Sequence, residues 1–175
     1  MTGYGDWAPQ TVYTIYIAAP AERLWDALTS AEFSRDYFSG FAIWIEPRVG
    51  GALRLLAPDG TPHITGEVIT WDPPHKLSIT WNVGWPGLVE ALGGTLVSYT
   101  IEQAGEVVKL TMTEAHERPL DDDILSGGRQ GWPAILSSLK SLLETGRAPR
   151  IAMQPPVKMI AALRRAGVTV PGGPE

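Results

Sequence analysis

The chain has 175 residues, a formal net charge of −5 and no cysteine. That length predicts one domain with a sizeable core. The acidic balance excludes general nucleic-acid binding, which relies on many Lys and Arg contacts to phosphate, and the missing thiols exclude disulfides, thiolate metal sites and cysteine nucleophiles. No apolar run is long enough to span a bilayer, and no secretory signal is visible before Arg23, the first basic residue, so a cytoplasmic location is expected. Charge is unevenly spread: residues 147–175 hold five basic groups against Glu175 alone, leaving 9 basic and 18 acidic groups in residues 1–146. The expected organisation is a single domain over 1–146, with its core at 11–146, followed by a basic extension over 147–175.

The first ten residues, with Gly3, Gly5 and Pro9, read as a loose leader. Tyr13, Ile15 and Ile17 then alternate with Val12, Thr14 and Tyr16 as a strand. Pro20 opens a short helix with Leu24, Trp25 and Leu28 on one side, and Phe33, Tyr37 and Phe38 mark a second short helix over 30–38 that breaks at Gly40. From Phe41 onward the alternation has the strand period. Phe41, Ile43 and Ile45 form one set; Leu53 and Leu55 form the next, with Arg54 on the outer face. A longer strand runs over 63–71, where Gly66 predicts a bulge or a close approach. Leu77, Ile79 and Trp81 follow, then an irregular loop over 84–94 with one helical turn expected around Leu88 to Leu92. A hairpin comes last, with Val97, Tyr99 and Ile101 facing the same way as Val108, Leu110 and Met112.

Residues 127–146 carry the strongest helical signal. Trp132, Ile135, Leu136, Leu139, Leu142 and Leu143 share one face, with Ser137, Ser138, Lys140, Ser141 and Glu144 opposite. Pro133 suits a first turn, and Gly146 is placed to end the helix. Strands joined by turns this short pair as antiparallel neighbours. The predicted fold is therefore α+β: a curved antiparallel sheet of about six to seven strands wrapped around a long C-terminal helix, with two short helices after the first strand.

Several runs carry a family resemblance: Ile17-Ala18-Ala19-Pro20-Ala21-Glu22-Arg23-Leu24-Trp25-Asp26-Ala27-Leu28-Thr29, Pro47-Arg48-Val49-Gly50-Gly51, Gly66-Glu67-Val68, Asp72-Pro73-Pro74-His75-Lys76-Leu77 with Trp81, and Gly131-Trp132 with the Leu-rich helix. In this order they resemble the START-like (SRPBCC, birch-pollen-allergen-like) superfamily, in particular its branch of heat-shock-protein-90 ATPase activator homologue-like proteins. The resemblance implies a helix-grip fold that often encloses an apolar cavity. Relatives often carry a Thr-His pair and then a Gly-aromatic pair after the last strand; here that region reads Thr113-Glu114-Ala115-His116-Glu117-Arg118.

Function is expected to be binding of a small hydrophobic or amphipathic ligand between sheet and helix. Aromatic walls with few polar groups suit such pockets, and the candidate lining is Phe41, Ile43, Leu53, Leu55, Trp81, Trp85, Tyr99, Met112, Trp132, Ile135 and Leu136. Leu139, Leu142 and Leu143 are assigned to the core. The alternatives are an enzyme like the aromatase/cyclases or dehydratases of the superfamily, and a chaperone-interacting or stress-response module. For the enzyme, Tyr99 or His116 would carry the proton, since an imidazole beside carboxylates suits proton transfer. No metal or cofactor is expected: His63, His75 and His116 are far apart in sequence, and Glu114, Glu117, Asp121, Asp122 and Asp123 read as a solvated acidic loop without calcium-loop spacing. Over 157–166, Val157, Met159, Ile160 and Leu163 have helical spacing. This segment is expected to extend freely, to dock on the sheet exterior, to cover a cavity mouth or to bridge a homodimer.

Overall fold

The computed structural model describes residues 3–172. Alternating apolar sequence becomes eight antiparallel strands: β1 (Ala8–Ile17), β2 (Ala42–Ile45), β3 (Ala52–Leu56), β4 (Pro62–Asp72), β5 (Lys76–Thr80), β6 (Asn82–Val83), β7 (Thr95–Ala104) and β8 (Val107–His116). Their order in the sheet is β1-β8-β7-β5-β4-β3-β2, with the two-residue β6 paired to β4. The strand count exceeds the six to seven expected because β6 is too short to show any alternation. The leader is also more ordered than its glycines suggest. Tyr4–Asp6 form a 3-10 turn, and β1 starts at Ala8, where Ala8 and Pro9 pair with His116 and Ala115.

The two short helices, α1 (Ala21–Thr29) and α2 (Ala31–Tyr37), follow β1. Leu24, Trp25, Ala27 and Leu28 turn the buried side of α1 inward, and the Tyr37 hydroxyl of α2 donates to the Ala27 carbonyl at 2.9 Å, locking the two together. A third helix, α3 (Leu88–Leu92), fills the irregular loop before β7. The long helix α4 spans Asp122–Thr145, five residues earlier than the apolar stripe indicated. Its start is set by polar chemistry: the Asp121 side chain accepts from the Ile124 amide at 3.0 Å, and Asp122 and Asp123 face the positive end of the helix dipole. Pro133 is consequently interior to the helix rather than in its first turn, and it leaves the Arg129 carbonyl without the usual amide donor. Gly146 ends α4 in the left-handed conformation at φ 77°.

The apolar face of α4 lies in the curve of the sheet. Leu139 and Leu143 are buried against Ile17, Leu53, Leu55, Val68, Leu77, Val97 and Leu110 in one continuous core. Gly66 is a close approach: a Cβ there would overlap the Thr80 carbonyl of β5. Arg54 lies on the outer face, with its guanidinium 5.1 Å from the centre of the Trp44 ring.

The last helix, α5 (Val157–Arg165), packs on α4, and Met159 occupies the space that a side chain at Gly127 would need. Of its expected apolar face only Val157 turns outward, Met159 and Ile160 being half-buried. Ala162 and Leu163 are buried and Val157 is 83% exposed. Beyond it Val168 is buried, and the Thr169 amide donates to the Pro86 carbonyl at 3.0 Å, tying the tail to the loop before α3. Among the described residues no helix is long and apolar enough to cross a membrane.

Burial pushes the phenols of Tyr37 and Tyr99 up, Tyr37 well above its ordinary value. A group whose pKa is higher folded than unfolded contributes stability below its unfolded value, and that stability is lost as pH rises above about 10. Chemical denaturation from pH 8 to 11.5 is expected to show stability falling beyond about pH 10. Tyr37→Phe should lower the plateau by about 1 kcal/mol through the lost hydrogen bond, yet flatten the alkaline limb; an unchanged limb would remove Tyr37 as a cause.

Candidate functional site

Strand parity builds the site. Leu110 and Met112 of β8 point into the grip, so Glu114 and His116 share that face. Glu114 stands between Thr11 of β1 and Val97 of β7 and is 8% exposed; His116 stands opposite Thr95 and is 7% exposed. Glu114 is therefore not the solvated residue expected from the acidic run. Glu117 leaves the cluster differently, its carboxylate accepting from the Gly94 amide at 2.9 Å. The acidic loop is thus three devices: a buried carboxylate, a loop clasp and a helix cap.

Helix α4 completes the arrangement. The Trp132 indole nitrogen donates to Glu114 Oε2 at 2.6 Å. Gly128, one turn earlier, lets the helix backbone come close, since a Cβ there would lie 3.1 Å from Glu114 Oε1. His116 Nδ1 is hydrogen bonded to Thr95 Oγ1 at 3.1 Å. Its Nε2 is 3.3 Å from Glu114 Oε1, yet out of line for a hydrogen bond, and so remains a buried polar atom without a partner. Thr11 Oγ1, on the other flank of Glu114, is likewise unpartnered. Buried polar atoms of this kind cost free energy unless something satisfies them.

The carboxylate acts on two phenols. Tyr99 is pushed up first by burial and then by Glu114; Tyr13 is raised by burial and by Glu114, with Arg129 opposing. At neutral pH both phenols keep their protons, so Tyr99 is a hydrogen-bond donor rather than a base. Next to this polar end is an aromatic wall. Trp81 and Trp132 have ring centres 5.4 Å apart, and Phe38 is 6.0 Å from Trp81 and 6.2 Å from Trp132. Trp132 is buried, whereas Phe38 and Trp81 are half-buried and keep a side towards solvent.

The structure brings most of the predicted lining residues together. Ile43, Leu53, Leu55, Tyr99, Met112, Trp132 and Leu136 are buried in one cluster, and Phe41, Trp81 and Ile135 pack partly against it. Phe41 also faces His63, ring centres 5.0 Å apart, and burial lowers the pKa of that histidine. Trp85 is half-buried in the turn after β6 and takes no part in the cluster. Ile135 has a second role, on the floor of a cleft of about 860 Å³ between α2, α4 and the chain after Gly146, outside the grip. Sequence reasoning missed Glu114, Thr11, Thr95 and Phe38. Extending the parity of Leu110 and Met112 by two residues would have found the first.

Comparison with known proteins agrees with this architecture. A family model described as Activator of Hsp90 ATPase homolog 1-like protein matches residues 18–144. Among solved structures, a protein from Mesorhizobium loti is similar at TM-score 0.62 and 26% identity, over 76% of this chain and 96% of its own. The Aha1 dimer from Colwellia psychrerythraea is similar at TM-score 0.64 and 21% identity, over 78% of this chain and 97% of its own. An HSP90 activator from Plasmodium falciparum is similar at TM-score 0.57 and 21% identity, over 71% of this chain and 88% of its own. The comparison with curated proteins found no match.

Proposed function

Because the chain belongs to the Activator of Hsp90 ATPase homolog 1-like family, within the START-like superfamily, we propose that it binds a small, largely apolar molecule between the sheet and α4, with a polar group of that molecule held by Glu114 and His116. The observation that carries this reading is the pair of buried, unpartnered atoms, His116 Nε2 and Thr11 Oγ1, on either side of Glu114. A ligand hydroxyl there satisfies an imidazole nitrogen and a threonine oxygen while its apolar body lies on the Trp81 and Trp132 rings.

Titration with 1-naphthol against naphthalene, read by tryptophan quenching and native mass spectrometry, tests the reading. The wild type should prefer the hydroxylated compound, and His116→Ala should weaken that binding about tenfold, the value of a buried hydrogen bond with its orphaned partner. No uptake by folded protein, or equal binding of both compounds, would overturn it. The family match also favours a second reading, contact with a chaperone ATPase; a pull-down with purified chaperone that recovers none of this chain would count against it. For the enzymatic alternative, the retained proton on Tyr99 leaves His116 as the base.

A further inference from the structure

Past Gly146 the chain turns back along α4 and is fixed there by three hydroxyls. Ser138 Oγ donates to the Pro149 carbonyl at 2.9 Å, Ser141 Oγ donates to the Arg147 carbonyl at 2.7 Å, and Thr145 Oγ1 accepts from the Arg147 amide at 3.3 Å. Ser138, on the nominally polar side of the helix, is 4% exposed as a result. This strand of chain is the wall of the cleft of about 860 Å³ whose other sides are α2 and α4, a volume within the range of small-molecule sites. The wall lies beyond residue 144, where the family match ends.

Its chemistry is two-sided. The floor and wall are apolar, formed by Ile135, Leu142, Ala148 and Met153, with Ile151 left 41% exposed at the side. The rim carries Arg35, Arg147 and Arg150 against one carboxylate, Asp36. In residues 1–146 acidic groups outnumber basic ones 18 to 9, so a rim with three arginines and one aspartate runs against the charge of the body around it. Among the described residues none of the three guanidiniums forms an ion pair, whereas Arg48, Lys109, Arg129, Lys140 and Lys158 each do. Guanidinium forks match the oxygens of carboxylate and phosphate.

We propose that this cleft is a second binding site, separate from the grip interior, for an amphipathic anion: a carboxylate or phosphate monoester head on the arginine rim, with its apolar body on Ile135 and Leu142. The wall needs no reordering to receive it, because the three hydroxyl contacts already hold it in place.

Calorimetric titration of the full chain with decanoate, decyl phosphate and decanol tests the proposal, with amide shift mapping by NMR to locate the site. At least one anion should bind about tenfold more tightly than decanol, in line with charge-assisted hydrogen bonds. Shifts should fall on residues 134–138 and 146–153. The Arg147→Gln/Arg150→Gln double variant should lose that tenfold, and it should fold normally because among the described residues neither guanidinium forms a hydrogen bond or an ion pair. Which anion binds more tightly decides between a carboxylate and a phosphate ligand. Equal binding of anion and alcohol, unchanged binding in the double variant, or shifts confined to Glu114, His116 and Trp132 would overturn it. Co-sedimentation with anionic vesicles without binding of the monomeric amphiphiles would also overturn it, because the rim would then be a membrane contact. Loss of naphthol binding in His116→Ala leaves this prediction untouched, so the two sites fail separately.

Discussion

Replacing Glu114 by Ala is expected to lower stability by about 3 kcal/mol, measured by urea denaturation at neutral pH. The carboxylate is the acceptor for the Trp132 indole at 2.6 Å, and it is the polar neighbour of His116 and Thr11. Truncation leaves the indole N–H buried without an acceptor, at about 1–3 kcal/mol, and opens a void where α4 meets β8. Glu114→Gln keeps the shape and an amide oxygen for the indole, so it should stay within about 1 kcal/mol of wild type. If Ala and Gln cost the same, the indole contact is not what ties α4 to the sheet at this end.

Gly66→Ala should be more damaging still, with an expected loss of at least about 3 kcal/mol. The reason is position. Gly66 pairs with Leu53 of β3, and any Cβ there would run into the Thr80 carbonyl, a backbone atom that cannot rotate away. Thr80 is also held from the other side, its hydroxyl accepting from the Glu67 amide at 2.8 Å. Relief requires β4 and β5 to separate, and this moves Trp81, the next residue, in the aromatic wall. Gly60 supplies the contrast. Its φ of 84° disfavours a side chain, but a Cβ meets nothing within 4 Å. Gly60→Ala should therefore cost only about 1 kcal/mol. Comparable losses at the two glycines would mean that the strands shift freely at Gly66.

The two substitutions fall on opposite sides of what the sequence discloses. Gly66 was legible as a bulge or close approach, because a glycine inside a strand pattern has few other uses. Glu114 was not, because a carboxylate amid Glu117, Asp121, Asp122 and Asp123 has the composition of solvated loop. Only the continuation of β8 to His116, supported by its pairing with Ala8 and Thr95, turns that residue inward. The same acidic run hid the start of α4: three aspartates read as loop because the apolar stripe begins later, at Trp132, whereas the helix is opened by the Asp121 cap. For α5 the period was right, and all of the expected apolar face except Val157 turns inward. Which surface that face meets was not legible: Gly127 of α4 leaves the space that Met159 fills.

By itself the sequence determined the order of strands and helices apart from β6, the inward set Ile43, Leu53, Leu55, Tyr99 and Met112, and the apolar stripe of α4. It also determined membership of the family through the runs from Ile17 to Trp132. These depend on local periodicity and on contacts between neighbouring strands, so they can be read along the chain. The tertiary structure alone decided that Glu114, His116, Thr11 and Trp132 meet, and that Arg35 shares a cleft with Arg147 and Arg150. Those groupings join residues roughly a hundred positions apart through the curvature of the sheet and the reversal at Gly146, and neither leaves a period in the sequence.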